Sequence, residues 1–113
     1  MNLLFICSRN KWRSRTAEDL FKRLNGYEVR SAGTAESARV RVNEKLFAWA
    51  DIIFVMERDH KKRLQQKFSS DVLNKEMIVL DIPDEYQYMD EALVEILNET
   101  ILPYLDNLSA NKS

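Results

Sequence analysis

The chain of 113 residues has one cysteine, Cys7, so no intramolecular disulfide can form, and a reducing, cytoplasmic setting is expected. Only two glycines and two prolines occur. No linker-like stretch, repeat or low-complexity segment divides the sequence, which predicts a single domain over residues 1–108 and a frayed tail over 109–113. No apolar run approaches the ~18 residues that cross a bilayer. The longest, such as DIIFVM at 51–56, have strand length, so no membrane partner is expected. The N-terminal MNLLFIC lacks the charged-then-apolar layout of a signal peptide. The one histidine, His60, lies in the charged stretch ERDHKKRLQQKF and reads as a surface residue.

Net charge is only −1, but it is unevenly placed. The first 67 residues hold fifteen of the seventeen Lys and Arg and eight of the eighteen acids, a formal +7 there against −8 in the rest. A basic front suits an anionic substrate held by the N-terminal half. Nucleic acid is not the expected partner, because the cations gather at one helix start and on one short helix without aromatic residues interleaved along a strand.

Four short apolar segments punctuate the chain. NLLFI at 2–6 and DIIFVM at 51–56 are continuous apolar runs, the pattern of strands buried on both faces; YEVRS at 27–31 and MIVL at 77–80 complete a set of four. Between them, Ala17, Leu20, Phe21 and Leu24 recur at helical spacing before Asn25-Gly26, and Val42, Leu46, Phe47 and Trp49 suggest a second, short helix. ERDHKKRLQQKF predicts a surface helix, with Leu64 and Phe68 as its apolar positions, and Met56 and Met77 read as core. Leu93, Ile96, Leu97 and Ile101 mark a last helix that Pro103 is expected to kink or end. Strands separated by helical crossovers of a dozen residues or more predict an α/β, three-layer, doubly wound sandwich on a four-stranded parallel sheet. Ligands in such folds bind outside the carboxyl ends of the strands. The loop CSRNKWRS leaves the first strand there, and DIPDEY leaves the fourth at the same edge.

The first of these loops carries a chemistry. A cysteine attacks as thiolate, a form favoured by a helix N-terminus and by neighbouring cations, and Cys7 is surrounded by Arg9, Lys11, Arg13 and Arg15. Cations are disfavoured at a helix N-terminus, so Arg13 and Arg15 there suggest a bound anion. A strand-to-helix loop can turn successive amides inward as an anion nest, and Arg13 can offer two parallel N–H groups to two phosphate oxygens. Such a cradle matches a phosphoryl group in transfer, whose charge spreads over three equatorial oxygens.

CSRNKWRS resembles the phosphate-binding loop of the low-molecular-weight protein tyrosine phosphatase family, Cys-x5-Arg-Ser after the first strand. TAE at 16–18, SAGT at 31–34, ADIIFVME at 50–57 and IPDEYQYMDEAL at 82–93 are similar to the family's helix start, second-strand end, third strand and Asp-Pro-Tyr loop, so the likeness runs to about residue 105. The resemblance implies Cys7 as nucleophile, Arg13 as phosphate clamp, Ser14 as donor to the thiolate and Asp84 as general acid, with Asn10 holding the loop in a left-handed turn. By their place in the same loop, Ser8, Arg9, Asn10, Lys11 and Trp12 are expected to complete the phosphate site, with Trp12 as a pocket wall, and Tyr86 is a candidate to flank the substrate. No metal or other cofactor is implied. Asp81 is the alternative acid, and Asp90 reads as a helix cap. Tyr86 and Tyr88 are open between flanking the pocket and packing.

The implied activity is a phosphomonoester hydrolase acting on protein phosphotyrosine, or on a small aryl phosphate, through a phosphocysteine, by a monomer or weak dimer. Arsenate reduction with an external thiol, and a catalytically weak phosphate or phosphoprotein-binding module, are the alternatives. Several residues depart from the family: Arg9 stands at its usual glycine, Trp12 at a second cysteine, Arg15 and Glu85 at prolines, and Ser37 where many members carry a histidine that braces the loop. The connection between SAGT and the third strand is also short.

Overall fold

A computed structural model describes residues 1–111. Four strands, β1 (Asn2–Cys7), β2 (Glu28–Gly33), β3 (Ile52–Val55) and β4 (Glu76–Val79), form one sheet of order β2-β1-β3-β4, with every neighbouring pair parallel. The helices are α1 (Arg13–Phe21), α2 (Glu44–Trp49), α3 (Arg58–Lys67), α4 (Ser69–Val72) and α5 (Glu91–Asn111). The doubly wound sandwich read from the strand pattern is the fold observed.

The two-sided burial of β1 and β3 explains their unbroken apolar runs. Leu3, Phe5, Cys7, Ile52, Phe54 and Met56 meet Ala17 and Phe21 of α1 and Leu93, Leu97, Ile101 and Leu105 of α5. Alternate residues Leu4, Ile6, Ile53 and Val55 point the other way, onto Leu46 and Phe47 of α2, Leu64 of α3 and Val72 of α4. Phe5 and Phe54 stack across neighbouring strands with ring centroids 4.8 Å apart. Of the two methionines read as core, Met56 is fully buried and Met77 half-buried.

Two expectations change. Helix α5 does not end at Pro103 but runs through it to Asn111. Losing one backbone hydrogen bond and straining the preceding turn costs about 3 kcal/mol, yet Pro103 is exposed while Ile101 and Leu105 on either side are buried, so packing of the apolar stripe carries the helix on. Residues 109–111, expected in a frayed tail, lie in that helix; residues 112 and 113 of the expected tail fall outside the described residues. No helix among the described residues is long and apolar enough to cross a membrane.

Candidate active site

Strand β1 delivers Cys7 to the carboxyl edge of the sheet, and α1 begins six residues later at Arg13. The intervening loop is held from behind by the short connection after β2. The carbonyls of Cys7, Ser8 and Arg9 accept hydrogen bonds from the amides of Thr34, Ala35 and Arg39 at 3.0, 2.9 and 3.0 Å. Arg39 Nε donates to the Asn10 carbonyl at 3.3 Å. In a trans peptide the carbonyl of one residue and the amide of the next point opposite ways. The amides of Ser8, Arg9, Asn10 and Lys11 are thereby turned to the far side, into a concave nest. The short connection after β2 therefore backs the loop between β1 and α1.

That backing needs Gly33. A Cβ there would sit 2.5 Å from the Ser8 carbonyl oxygen, 2.7 Å from Ala38 Cβ and 2.9 Å from the Arg9 carbonyl carbon. Arg9 itself needs no glycine, because the left-handed residue of the loop is its neighbour Asn10, at φ 55°. Asn10 is fully buried, and its Nδ2 donates to Ser14 Oγ and Ser31 Oγ, each at 2.8 Å. Ser31 in turn donates to Glu18. Asn10 thus supports the loop from beneath rather than lining the cleft.

Cys7 Sγ and Ser14 Oγ are 2.9 Å apart, with Cys7 only 3% exposed. Because Ser14 Oγ already accepts from Asn10, its own hydrogen is free for sulfur; the alternative acceptor, the Ala32 carbonyl, is 3.5 Å away. Arg13 is buried as well, and its Nη1 donates to the Ile82 carbonyl at 2.8 Å and to the carboxylate of Glu57. With Nη1 so occupied, the planar edge formed by Nε and Nη2 is left for an anion. An oxygen of Asp84 stands 3.7 Å from Nε.

Cys7, Ser8, Arg9, Lys11, Trp12, Arg13 and Asp84 line one cleft of about 330 Å³. Of the residues expected at the phosphate site, Ser8, Arg9, Lys11 and Trp12 line it, with Trp12 37% exposed and the Lys11 ammonium 5.2 Å from its ring centre. Tyr86 does not line the cleft; it packs half-buried against the core formed with α1 and α5. Tyr88 is also turned away. Its hydroxyl donates to Asp19 on α1, which holds that carboxylate below its usual range and raises the phenol, and Arg15 lies over its ring at 5.0 Å. These contacts and the bond from the Met89 amide to Thr16 Oγ1 (2.9 Å) fasten the Asp84 loop to α1. Asp81, the rival acid, turns the chain after β4 at φ 55° and faces Arg58. Asp90 caps α5, accepting from the Ala92 amide at 2.9 Å.

His60 is not a surface residue. It is 3% exposed, and its Nε2 lies 2.9 Å from Ser8 Oγ. Its Nδ1 accepts from the Glu57 amide at 3.1 Å, completing a capping box at the start of α3 in which Glu57 accepts from the His60 amide. Burial, with Arg13 nearby, lowers the imidazole pKa. Glu57 and His60, missed as site residues, brace the loop at Arg13 and Ser8. Ser37, at the family's usual histidine, is exposed. The Glu-x-x-His spacing was the one available signal.

No family model matches the chain, and no curated protein sequence matches it. Solved structures do. The tyrosine phosphatase Wzb from Escherichia coli K30, in complex with phosphate, superposes with a TM-score of 0.77 at 21% identity, covering 95% of this chain and 97% of that one. A low-molecular-weight phosphotyrosine phosphatase from Vibrio cholerae O395 gives 0.76 at 21% identity over 96% and 97%. The YwlE arginine phosphatase from Geobacillus stearothermophilus gives 0.69 at 21% identity over 97% and 91%. The chain has the fold of the low-molecular-weight tyrosine phosphatases.

Proposed function

We propose that the protein is a cysteine-dependent phosphomonoesterase of the low-molecular-weight tyrosine phosphatase type, acting on aryl phosphates such as protein phosphotyrosine. The observation that carries this reading is the convergence of Cys7, Ser14, Arg13 and Asp84, from two loops far apart in sequence, around one nest of backward-tied peptides.

In this mechanism the Cys7 thiolate attacks phosphorus in line with the departing phenolate, forming the S–P bond as the P–O bond breaks. The Nε/Nη2 edge of Arg13 and the loop amides hold the equatorial oxygens, where charge spreads in the transition state. Asp84 gives its proton to the phenolate oxygen and then takes one from the water that attacks the phosphocysteine. Phosphate leaves as the S–P bond breaks, and the Ser14 hydroxyl stabilises the thiolate that returns.

The rim favours an anionic neighbour of the phosphoryl group. Arg9 and Lys11 line the cleft with no acidic partner among the described residues, whereas the charge of Arg13 is met by Glu57 and Asp84. These cations disfavour a positively charged leaving group, such as the guanidino group of phosphoarginine, and favour phosphotyrosine in acidic sequence. Trp12 supplies an apolar wall for the ring. The single cysteine leaves an arsenate reductase dependent on an external thiol.

The test is turnover of p-nitrophenyl phosphate by wild type, Cys7→Ser and Asp84→Asn. Activity abolished in Cys7→Ser with vanadate binding retained is the expected result. Full activity in Cys7→Ser would overturn the mechanism, and a wild type that binds phosphate without turning over any aryl phosphate would make it a binding module.

A further inference from the structure

We infer that His60 is a positioning residue which turns the Ser8 hydroxyl hydrogen toward the anion held over Cys7, making the Ser8 side chain a phosphoryl donor in addition to the loop amides. The inference rests on reading the cleft as a phosphoryl site.

The direction of each hydrogen bond follows from the chemistry of the groups. A backbone amide is always a donor, so the 3.1 Å contact from the Glu57 amide requires His60 Nδ1 to be unprotonated. The hydrogen of a neutral imidazole must then sit on Nε2, where Ser8 Oγ is the partner at 2.9 Å. Ser8 Oγ therefore accepts from His60, and its own hydrogen is released for another acceptor. Ser8 lines the cleft with Cys7 and Arg13, which makes an anion bound there the acceptor we assign to that hydrogen.

The imidazole has little freedom to do otherwise. It is 3% exposed and anchored at both nitrogens. Glu57, which supplies the amide, also accepts from the His60 amide and is ion-paired with Arg13. One turn after β3 thus sets two phosphate contacts together: the guanidinium through the Glu57 carboxylate and the hydroxyl through the His60 ring.

The test is a double-mutant cycle on Ser8→Ala and His60→Asn, read as sulfate affinity by calorimetry and as kcat and KM on p-nitrophenyl phosphate, with melting curves for all variants. Asparagine keeps an acceptor near the Nδ1 position for the Glu57 amide but does not reach Ser8. One charge-assisted hydrogen bond predicts about tenfold weaker sulfate binding for Ser8→Ala, and a loss approaching that for His60→Asn. Added to Ser8→Ala, His60→Asn should change sulfate affinity and kcat by less than about twofold, as expected when one residue acts only through the other. Ser8→Thr should restore binding, and the imidazole nitrogen spectrum should show the Nε2–H tautomer.

Equal losses from His60→Asn with and without the Ser8 hydroxyl, or unchanged sulfate affinity in Ser8→Ala, would overturn the inference. Wild type that binds sulfate without hydrolysing any aryl phosphate would remove the phosphatase reading while the cycle on sulfate affinity still decides the role of His60. Wild type that binds no oxyanion would overturn both.

Discussion

Arg13 and Glu57, 44 residues apart in sequence, form an ion pair that joins the first residue of α1 to the turn after β3. The cation is buried and the carboxylate 41% exposed. Replacing Glu57 with Gln should therefore lower stability by about 1–2 kcal/mol, the worth of a charged hydrogen bond discounted for solvent at the acid. Anion affinity should fall as well, because Arg13 Nη1 is then held by two neutral carbonyl oxygens, that of the new side-chain amide and that of Ile82, and no longer by a carboxylate. Thermal melting and sulfate titration of the variant check both outcomes; unchanged sulfate affinity would mean that the ion pair does not orient Arg13.

Gly33→Ala is expected to injure the site without touching a reacting group. A methyl group 2.5 Å from the Ser8 carbonyl and 2.7 Å from Ala38 Cβ forces apart the loop between β1 and α1 and the connection that backs it. Overpacking of this kind costs about 1–3 kcal/mol. The loss of phosphate affinity should exceed that of a control such as Gly26→Ala, whose residue meets nothing within 4 Å but has φ 87°, so that its own effect is backbone strain alone.

Asp84 and Asp81 are separated by placement. Asp84 shares the cleft with Cys7, and Asp81 faces Arg58 outside it. Asp84→Asn should reduce kcat on an aryl phosphate with a poor leaving group by about 10²-fold or more, while Asp81→Asn leaves it near wild type. The reverse pattern in steady-state kinetics would reassign the acid.

His60 gives stability a pH dependence of known sign. Its pKa in the folded chain lies below the ordinary 6.5, first through burial and then through Arg13 and Arg63, against the opposing pull of Glu57 and Asp59. The unfolded chain therefore binds the extra proton more readily as pH falls. This contribution is fully present above about pH 6.5 and is lost as pH falls from there through the lowered pKa. Denaturant midpoints of wild type should drop over that interval more steeply than those of His60→Asn; parallel curves would contradict the buried neutral imidazole.

Arg9 and Lys11 predict a salt-sensitive preference. A phosphotyrosine peptide with acidic flanks should show higher kcat/KM than one with neutral flanks, and the advantage should shrink as ionic strength rises and screening shortens to about 8 Å near physiological salt. In Arg9→Ala/Lys11→Ala the two peptides should converge.

The readable parts of the sequence were those whose environment is set locally or on both sides. NLLFI and DIIFVM announce strands because both faces of β1 and β3 are covered, and Cys7, Arg13 and Ser14 fall at one strand-to-helix junction. His60 was illegible for the opposite reason: α3 buries only His60 and Leu64 in an otherwise charged helix, and the histidine's partner is 52 residues away. The extension of β2 through Ala32 and Gly33 depends on pairing with Ile6 and Cys7, which no local propensity encodes. Pro103 carries a strong local stop signal that burial of its neighbours overrides. Tyr86 lies two residues from Asp84 but packs half-buried against the core, a choice made by tertiary packing.

The central claim is that Cys7 carries the phosphoryl group. Rapid acid quench of wild type with an aryl phosphate, followed by peptide mass spectrometry, should find one phosphoryl group on Cys7, accumulating in Asp84→Asn when the leaving group needs no proton and absent in Cys7→Ser. Turnover of the aryl phosphate at an undiminished rate by Cys7→Ser, or a phosphoryl group on any other residue, would contradict the account.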